Sequence, residues 1–503
     1  MKISKFHPQI YSLHSSSTQQ KKKMSSSSSE PVQKKRRMEP KTPQPLAPPA
    51  RLVTGSDTNP ESLVGAMKVT LEAESKQRES VYPLAKAIRH KASVILISFF
   101  SAADMTQLET SMSELAAQAQ TLVAQTASTP RLLSLGIVTE ALSEASALEN
   151  LIQFINNGHL ATPRSSQKIG GLPGASDTVY LSGIIKTCRS LERYAVGRAT
   201  HGDRASVSVC AEFVEALLSK LMEFDFRNGP LRKAYDGVKY AHKRLGDVLY
   251  ETSLCKSVSA SDVAVDVNAS KMDVALLLSL DDLEKVRLKM VASDEKREQV
   301  IKRCRDVQKL SKQAIFSIHR NEKEKARNQL STAMAKAHAI SSEFDFINEP
   351  ELRSGSFQNA MEEWVEGRLF EAWLESDGRH ILTPGELQAE LTPPLKMTSE
   401  EYLGGLVDFT GEVGRWAVLK ATQRDKEAVE KALVADLTVE AAMIHLGTSM
   451  PGKMNKKNSA LHGNVKKLEH VLYELSLLKG TGKKTFSSEA KPGAVESDGG
   501  AKL

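Results

Sequence analysis

Between Val300 and Ile318 the apolar positions Val300, Cys304, Val307, Ala314 and Ile318, with Ser311 the one polar member, recur in alternating steps of four and three. Lys302, Arg303, Arg305, Lys309 and Lys312 lie between them. On a helix this spacing turns one stripe toward a core and the cations toward water, so it predicts an amphipathic helix. Gly463 to Leu478 repeats the pattern, with Val465, Leu468, Val471, Leu472 and Leu475 on one side, and predicts the last helix. Such stripes build a bundle and carry no chemistry of their own.

The helical stretches are written twice. Leu245-Gly-Asp-Val-Leu-Tyr-Glu-Thr-Ser-Leu254 recurs as Leu468-Glu-His-Val-Leu-Tyr-Glu-Leu-Ser-Leu477, an offset of 468 − 245 = 223. Tyr180-Leu-Ser-Gly183 recurs as Tyr402-Leu-Gly-Gly405, an offset of 402 − 180 = 222. Lys91-Ala-Ser-Val-Ile-Leu-Ile-Ser98 parallels Lys312-Gln-Ala-Ile-Phe-Ser-Ile-His319, at 312 − 91 = 221. Three matches in one order at a nearly constant offset imply a tandem of related helical units. The boundaries this suggests are a Ser-, Lys- and Pro-rich arm over 1–58, one unit over 59–256 and a linker over 257–279. A second unit follows over 280–479, then a Gly- and Lys-rich tail over 480–503, arm and tail both read as disordered.

Composition narrows the class. Of 503 residues, 40% are apolar, 26% charged and only 5% aromatic, which excludes a chain disordered throughout and argues against an all-β fold. The most apolar run, Val94 to Phe100, is far short of the roughly 20 residues that span a bilayer, so no membrane association is expected. Cys188, Cys210, Cys255 and Cys304 stand singly, without the spacing of a disulfide framework or zinc site, as suits a reducing compartment. Residues 1–29 lack Asp and Glu, a composition shared with organelle transit peptides, although a solvated arm is the preferred reading. Within the arm, Lys34-Lys35-Arg36-Arg37 follows Lys21-Lys22-Lys23. This two-part basic cluster reads as a nuclear-import address or a nucleic-acid patch and places the protein in nucleus and cytoplasm. The net charge of +7 is consistent with an anionic partner.

The polar signal lies in the second unit. In Glu362-Glu363-Trp364-Val365-Glu366, the carboxylates of Glu363 and Glu366 are three apart and share a helix face. Asp408 and Glu412 form a second pair four apart within Tyr402-Leu-Gly-Gly-Leu-Val-Asp-Phe-Thr-Gly-Glu412. Two helices offering such pairs can clamp a hard cation, Mg²⁺ or Mn²⁺, beside a phosphodiester. The same acids can instead pair with Arg368, Arg415 or lysines on the helix surface, and spacing leaves both readings open. The first unit puts Lys186 opposite Asp408, Ser190 opposite Glu412, Glu144 opposite Glu363 and Ala147 opposite Glu366, so it lacks the clamp. No P-loop, Gly-x-Ser-x-Gly or His-Glu-x-x-His occurs. His319 and His462 read as packing or surface residues.

At these residues the sequence resembles the translin family. Phe226-Arg-Asn-Gly-Pro-Leu-Arg-Lys-Ala-Tyr-Asp-Gly-Val-Lys-Tyr240, with Tyr180 to Gly183 and Gly202-Asp203, is similar to translin. Lys309 to Arg320, Glu363-Trp-Val-Glu366 and Asp408-Phe-Thr-Gly-Glu412 are similar to translin-associated factor X. Trp364 and Gly367 depart from the family's usual Tyr and Ala. The resemblance implies an all-α protein of two tandem seven-helix bundles. It also implies an octamer-like shell, formed by self-association or with a separate translin, around single-stranded RNA or DNA. On the same resemblance, Glu363, Glu366, Asp408 and Glu412 are catalytic residues of a Mg²⁺-dependent endoribonuclease, the first three as metal ligands. Arg193 and Arg415, equivalent at 415 − 193 = 222, are the candidate phosphate contacts. The rivals are a non-catalytic single-stranded nucleic-acid binder and a purely structural helical scaffold.

Overall fold

The computed structural model describes residues 57–101, 105–127, 129–161, 163–254 and 273–481. The basic cluster Lys34 to Arg37, the expected arm up to residue 56 and the expected tail from residue 482 lie outside the described residues. The arm's last residues, Asp57 and Thr58, are ordered, the Asp57 amide donating to the Arg379 carbonyl at 2.9 Å, and the linker's end carries the buried Leu277 and Leu278. The first half runs α1 (Pro60–Phe100), α2 (Met105–Thr126), the short α3 (Pro130–Leu133), α4 (Gly136–Asn157), α5 (Asp177–Thr200), α6 (Arg204–Leu221) and α7 (Pro230–Leu254). After the single turn α8 (Val274–Leu277), the second half runs α9 (Leu280–His319), α10 (Lys323–Glu343), α11 (Pro350–Arg353), α12 (Ser356–Glu375), α13 (Pro384–Ala389), α14 (Ser399–Thr422), α15 (Lys426–Leu446) and α16 (Met454–Thr481). Among the described residues there is no strand, only an isolated parallel bridge between Leu160 and Leu278, so the expected all-α class is the observed one. No described helix is long and apolar enough to cross a membrane.

Local signals account for the helix starts. Asp203 and Asp425 hold equivalent N-caps, accepting from the Ser206 and Ala428 amides at 3.0 and 3.1 Å. Ser176 caps α5, while Thr398 and Glu401 form a reciprocal capping box that opens α14. The repeat is also one of packing. Gly183 of α5 lies against Ser146 of α4, where an added Cβ would stand 2.8 Å from the serine Cβ; Gly405 of α14 lies against Val365 of α12, at 2.6 Å from the valine Cβ. The same glycine contact sets the same close crossing in both halves. It pairs Ser146 with Val365, hence Glu144 with Glu363 and Ala147 with Glu366.

The two hydrophobic cores exchange helix ends. Leu63, Val64, Met67 and Leu71, at the start of α1, are buried in the core of the second half, whereas Val81, Ala85, Ile88, Ala92 and Ile95 of the same helix belong to the first. Conversely Leu283 and Val286, at the start of α9, are buried in the first core, and Val300, Cys304, Val307, Ala314 and Ile318 in the second. Polar contacts follow the same crossing, with Arg131 bonded to Glu400 at 2.9 Å and the Arg164 amide to Asp282 at 2.6 Å.

Asp436 on α15 is an exception to the packing rules. It is fully buried, and neither carboxyl oxygen has a hydrogen-bond partner. Burial, reinforced by Glu440, holds its pKa well above the ordinary carboxylate value. Because the folded pKa is raised, the native state binds a proton that the unfolded chain gives up, so stability is lost as pH rises past the unfolded pKa. The equivalent residue of the first half, at 436 − 222 = 214, is the buried Val214. Asp436→Val is therefore expected to stabilise the protein by about 2 kcal/mol at neutral pH. Denaturant melts should show the gain growing from pH 4 to pH 7; a gain that shrinks over that range would contradict this account.

Candidate active site

The second-half carboxylates meet where α12 and α14 cross. α12 is buried on nearly every side, so its polar residues need partners or leave an electrostatic cost. Trp364 meets the need by donating its indole N–H to the Leu330 carbonyl at 3.1 Å. Gly367 leaves room for the same Leu330, whose Cδ2 would stand 3.0 Å from an added Cβ. The two departures from the family's usual residues thus act on one neighbour.

Glu366 is 9% exposed and makes no hydrogen bond or ion pair among the described residues. Burial first, then the charges of Asp408, Glu363 and Glu412, push its carboxyl up to about 8, against a smaller opposing pull from Lys457. These three acids are the ones the sequence pattern grouped with it, and the fold sets them around it. Each of the three already has a protein cation. Lys312 stands 3.0 Å from Glu363. Glu412 bonds His319 Nε2 at 2.6 Å and Arg415 at 3.1 Å. Asp408 accepts from Lys457 Nζ at 2.6 Å, and that ammonium also reaches Glu362 at 2.7 Å and the Gly404 carbonyl at 3.3 Å. Burial raises the Asp408 pKa despite the lysine. Burial opposes the Lys457 charge, but its bonds to Asp408 and Glu362 outweigh this and leave its pKa raised.

The structure assigns partners to the other polar residues singled out in the sequence. His319 packs on Phe370 at 4.9 Å between ring centroids, as a packing residue should, and in addition holds Glu412. His462 is a surface residue, bonded to Glu440. Arg368 pairs with Glu371 and Glu390, not with the clustered acids. Lys457 and Glu362 were missed as a pair. The periodic pattern began the last helix at Gly463, whereas α16 begins at Met454 and so includes Lys457. The run Met454-Asn-Lys-Lys-Asn-Ser459 has no apolar period to announce it.

The two arginines differ in setting. Arg415 is 69% exposed on α14 beside Glu412, and Arg193 lies over the Phe100 ring at 4.3 Å. In the first half, Lys186 pairs with Glu140 at 2.8 Å and Arg89 with Glu144 at 3.0 Å. That crossing is occupied by compensated pairs and contains no unpartnered acid.

The donor chemistry at Glu363, Glu366 and Asp408 fits a hard divalent cation, being all oxygen and including a buried carboxylate that makes no ion pair among the described residues. As the side chains stand, no three Asp, Glu, His or Cys among the described residues converge closely enough to coordinate one.

Known proteins similar to this chain fall in one family. The translin of Gallus gallus is 36% identical over 75 residues, which are 15% of this chain and 33% of that protein. The translin of Homo sapiens is 35% identical over the same length. The chain thus spans a third of the length of these relatives. Among solved structures, "Structure of AfC3PO - duplex RNA complex" is 21% identical with a TM-score of 0.32, covering 39% of this chain and 97% of that one. "Crystal structure of apo-NeC3PO" is 20% identical with a TM-score of 0.33, covering 40% and 98%. The sequence pattern of the Translin family matches twice, over residues 68–256 and 295–479, one match for each half of the repeat. With both halves matched and both built of helices, this chain belongs to the translin family.

Proposed function

We propose that the chain binds single-stranded RNA and cleaves it in a metal-dependent reaction carried by its second half. The observation that supports this most is Glu366, buried without a partner among Asp408, Glu363 and Glu412, at a crossing whose first-half counterpart has Ala147, Lys186, Glu144 and Ser190. A buried acid surrounded by acids is costly to the fold, and such a cost is commonly retained where it serves a reaction. Glu363, Glu366 and Asp408 are the proposed Mg²⁺ ligands, with Mn²⁺ as the alternative. The bound ion would supply charge stabilisation at the phosphodiester and an activated water. Glu412, fixed between His319 and Arg415, orients the reacting groups from the next turn of α14. The exposed Arg415 guanidinium is placed to hold a phosphate beside the acids, and Arg193 to do so at the equivalent position of the first half. Further association, among copies of this chain or with a separate translin, would enclose the strand in an octamer-like shell.

A second reading is a non-catalytic binder of single-stranded RNA or DNA, favoured by the cations already present on Glu363, Asp408 and Glu412. Pure protein with a single-stranded RNA oligonucleotide, in Mg²⁺ and in chelator, separates the two. Cleavage in Mg²⁺ only, lost in Asp408→Ala while binding persists, is the expected result. Binding that falls steeply with salt but never leads to cleavage favours the second reading. No binding at moderate salt would eliminate both.

A further inference from the structure

Lys457 is the cation placed most directly on a proposed ligand. Its ammonium has three N–H groups and three acceptors, the carboxylates of Asp408 and Glu362 and the Gly404 carbonyl. No N–H remains to offer a phosphate. The second acceptor is built in: Glu362 is buried, is held by Gln358 Nε2 at 2.9 Å, and lies so close to Gly404 that an added Cβ there would collide with its carboxyl group. Any side chain at 404 would push the Glu362 carboxyl group out of this position.

The repeat provides a comparison within the same molecule. At the offsets of the paired helices, Lys457 corresponds to Ala234, Glu362 to Ser143, Gly404 to Ser182 and Asp408 to Lys186. All four positions differ in the half that lacks the acidic cluster. A lysine required to pack the bundle would be needed in both halves, since both fold alike. The Lys457 arrangement instead accompanies Asp408.

From this geometry we infer that Lys457 is a tethered counter-cation that competes with the divalent ion for Asp408 and so sets the site's metal affinity. The inference rests on Asp408 being a metal ligand, as proposed for the function. With the ammonium in place the chain keeps Asp408 neutralised, while Glu366 feels Lys457 only at a distance and alone among the four acids makes no ion pair among the described residues. Asp408 becomes available as a ligand only when Lys457 yields it, and Glu362 with the Gly404 carbonyl are the anchors that remain. Lys457 is thus a positioning residue, acting through Asp408 and not on the substrate.

The test is Mn²⁺ binding to the full chain without RNA, followed by calorimetry and by the electron paramagnetic resonance of Mn²⁺. Lys457→Met is expected to bind Mn²⁺ about tenfold or more tightly than the wild type, and Lys457→Arg, which keeps the charge, to match it within about threefold. Because Lys457→Met strands Glu362 in the interior, the double variant Lys457→Met with Glu362→Met removes both partners and is expected to show the same tightening. Thermal melts in chelator identify which variant is folded. Unchanged or weaker Mn²⁺ binding in the folded variant overturns the competition. Asp408→Asn separates this failure from a deeper one. If it abolishes binding in every background while Lys457→Met changes nothing, the metal site stands and only the competition falls. If Asp408→Asn leaves Mn²⁺ binding intact, Asp408 is not a ligand, and both fall.

Discussion

Glu366→Gln is expected to abolish cleavage while making the protein more stable in chelator. The buried carboxyl has no hydrogen bond and faces three other acids, so its charge is resisted by both burial and like-charge repulsion. A glutamine keeps the shape and removes the charge. The expected gain is on the order of 2 kcal/mol, visible as a melting temperature several degrees higher. Activity should move in the opposite direction, with the turnover rate falling about 100-fold or more, since a lost charge at the reacting centre is felt mainly in the transition state. RNA affinity should change little, because the proposed phosphate contacts, Arg415 and Arg193, are untouched. Melting curves in chelator, filter binding and single-turnover cleavage measure the three quantities. A stabilised variant that still cleaves would show that Glu366 is only an electrostatic misfit of the core. A destabilised one would show that the acid has a structural partner.

Neither half is expected to fold on its own. Leu63, Val64, Met67 and Leu71 reach from α1 into the second core, and Leu283 and Val286 reach from α9 into the first. At about 1.5–3 kcal/mol for each buried side chain, the four from α1 contribute roughly 6–12 kcal/mol. That is comparable to the whole stability of an ordinary domain. A fragment covering 273–481 should therefore show little cooperative unfolding and should associate through its uncovered groove, as should one covering 57–254. Mixing the two should restore a cooperative melt at the expense of the fragments' self-association. Circular dichroism with size-exclusion chromatography would decide it. A sharp, concentration-independent melt of 273–481 alone would overturn the estimate.

The helices and their repetition were legible in the sequence because both leave periodic marks. Every member of the stripe Val300, Cys304, Val307, Ser311, Ala314 and Ile318 is buried. Ser311 is accommodated there because its hydroxyl donates to the Val307 carbonyl one turn back, at 3.0 Å. The four acids were legible as two pairs, since i, i+3 and i, i+4 spacing is a helix-face rule that requires no knowledge of the fold. The loss of three of the four acids from the first half, which keeps only Glu144, was legible too once the offset was known. Lys457 was not. It stands 49 residues from Asp408, in a segment without hydrophobic period, and nothing local distinguishes it from Lys453 or Lys456. His319 sits 93 residues from Glu412, and as a lone histidine on an amphipathic helix it carried no mark of a partner.

The sequence by itself determined the helical class, the doubling of the unit and which copy kept its carboxylates, because periodicity and repetition are properties of one dimension. The tertiary structure alone decided which cations meet those carboxylates and which acid is left without one. That outcome depends on how closely α12, α14 and α16 approach, and the approach is set by glycines such as Gly404 and Gly405 whose effect exists only where two helices touch. The exchange of helix ends between the two cores was decided in the same way, since the stripe on α1 does not state which core it will enter. Both halves offer an apolar groove, and only the path of the folded chain brings Leu63 to the second.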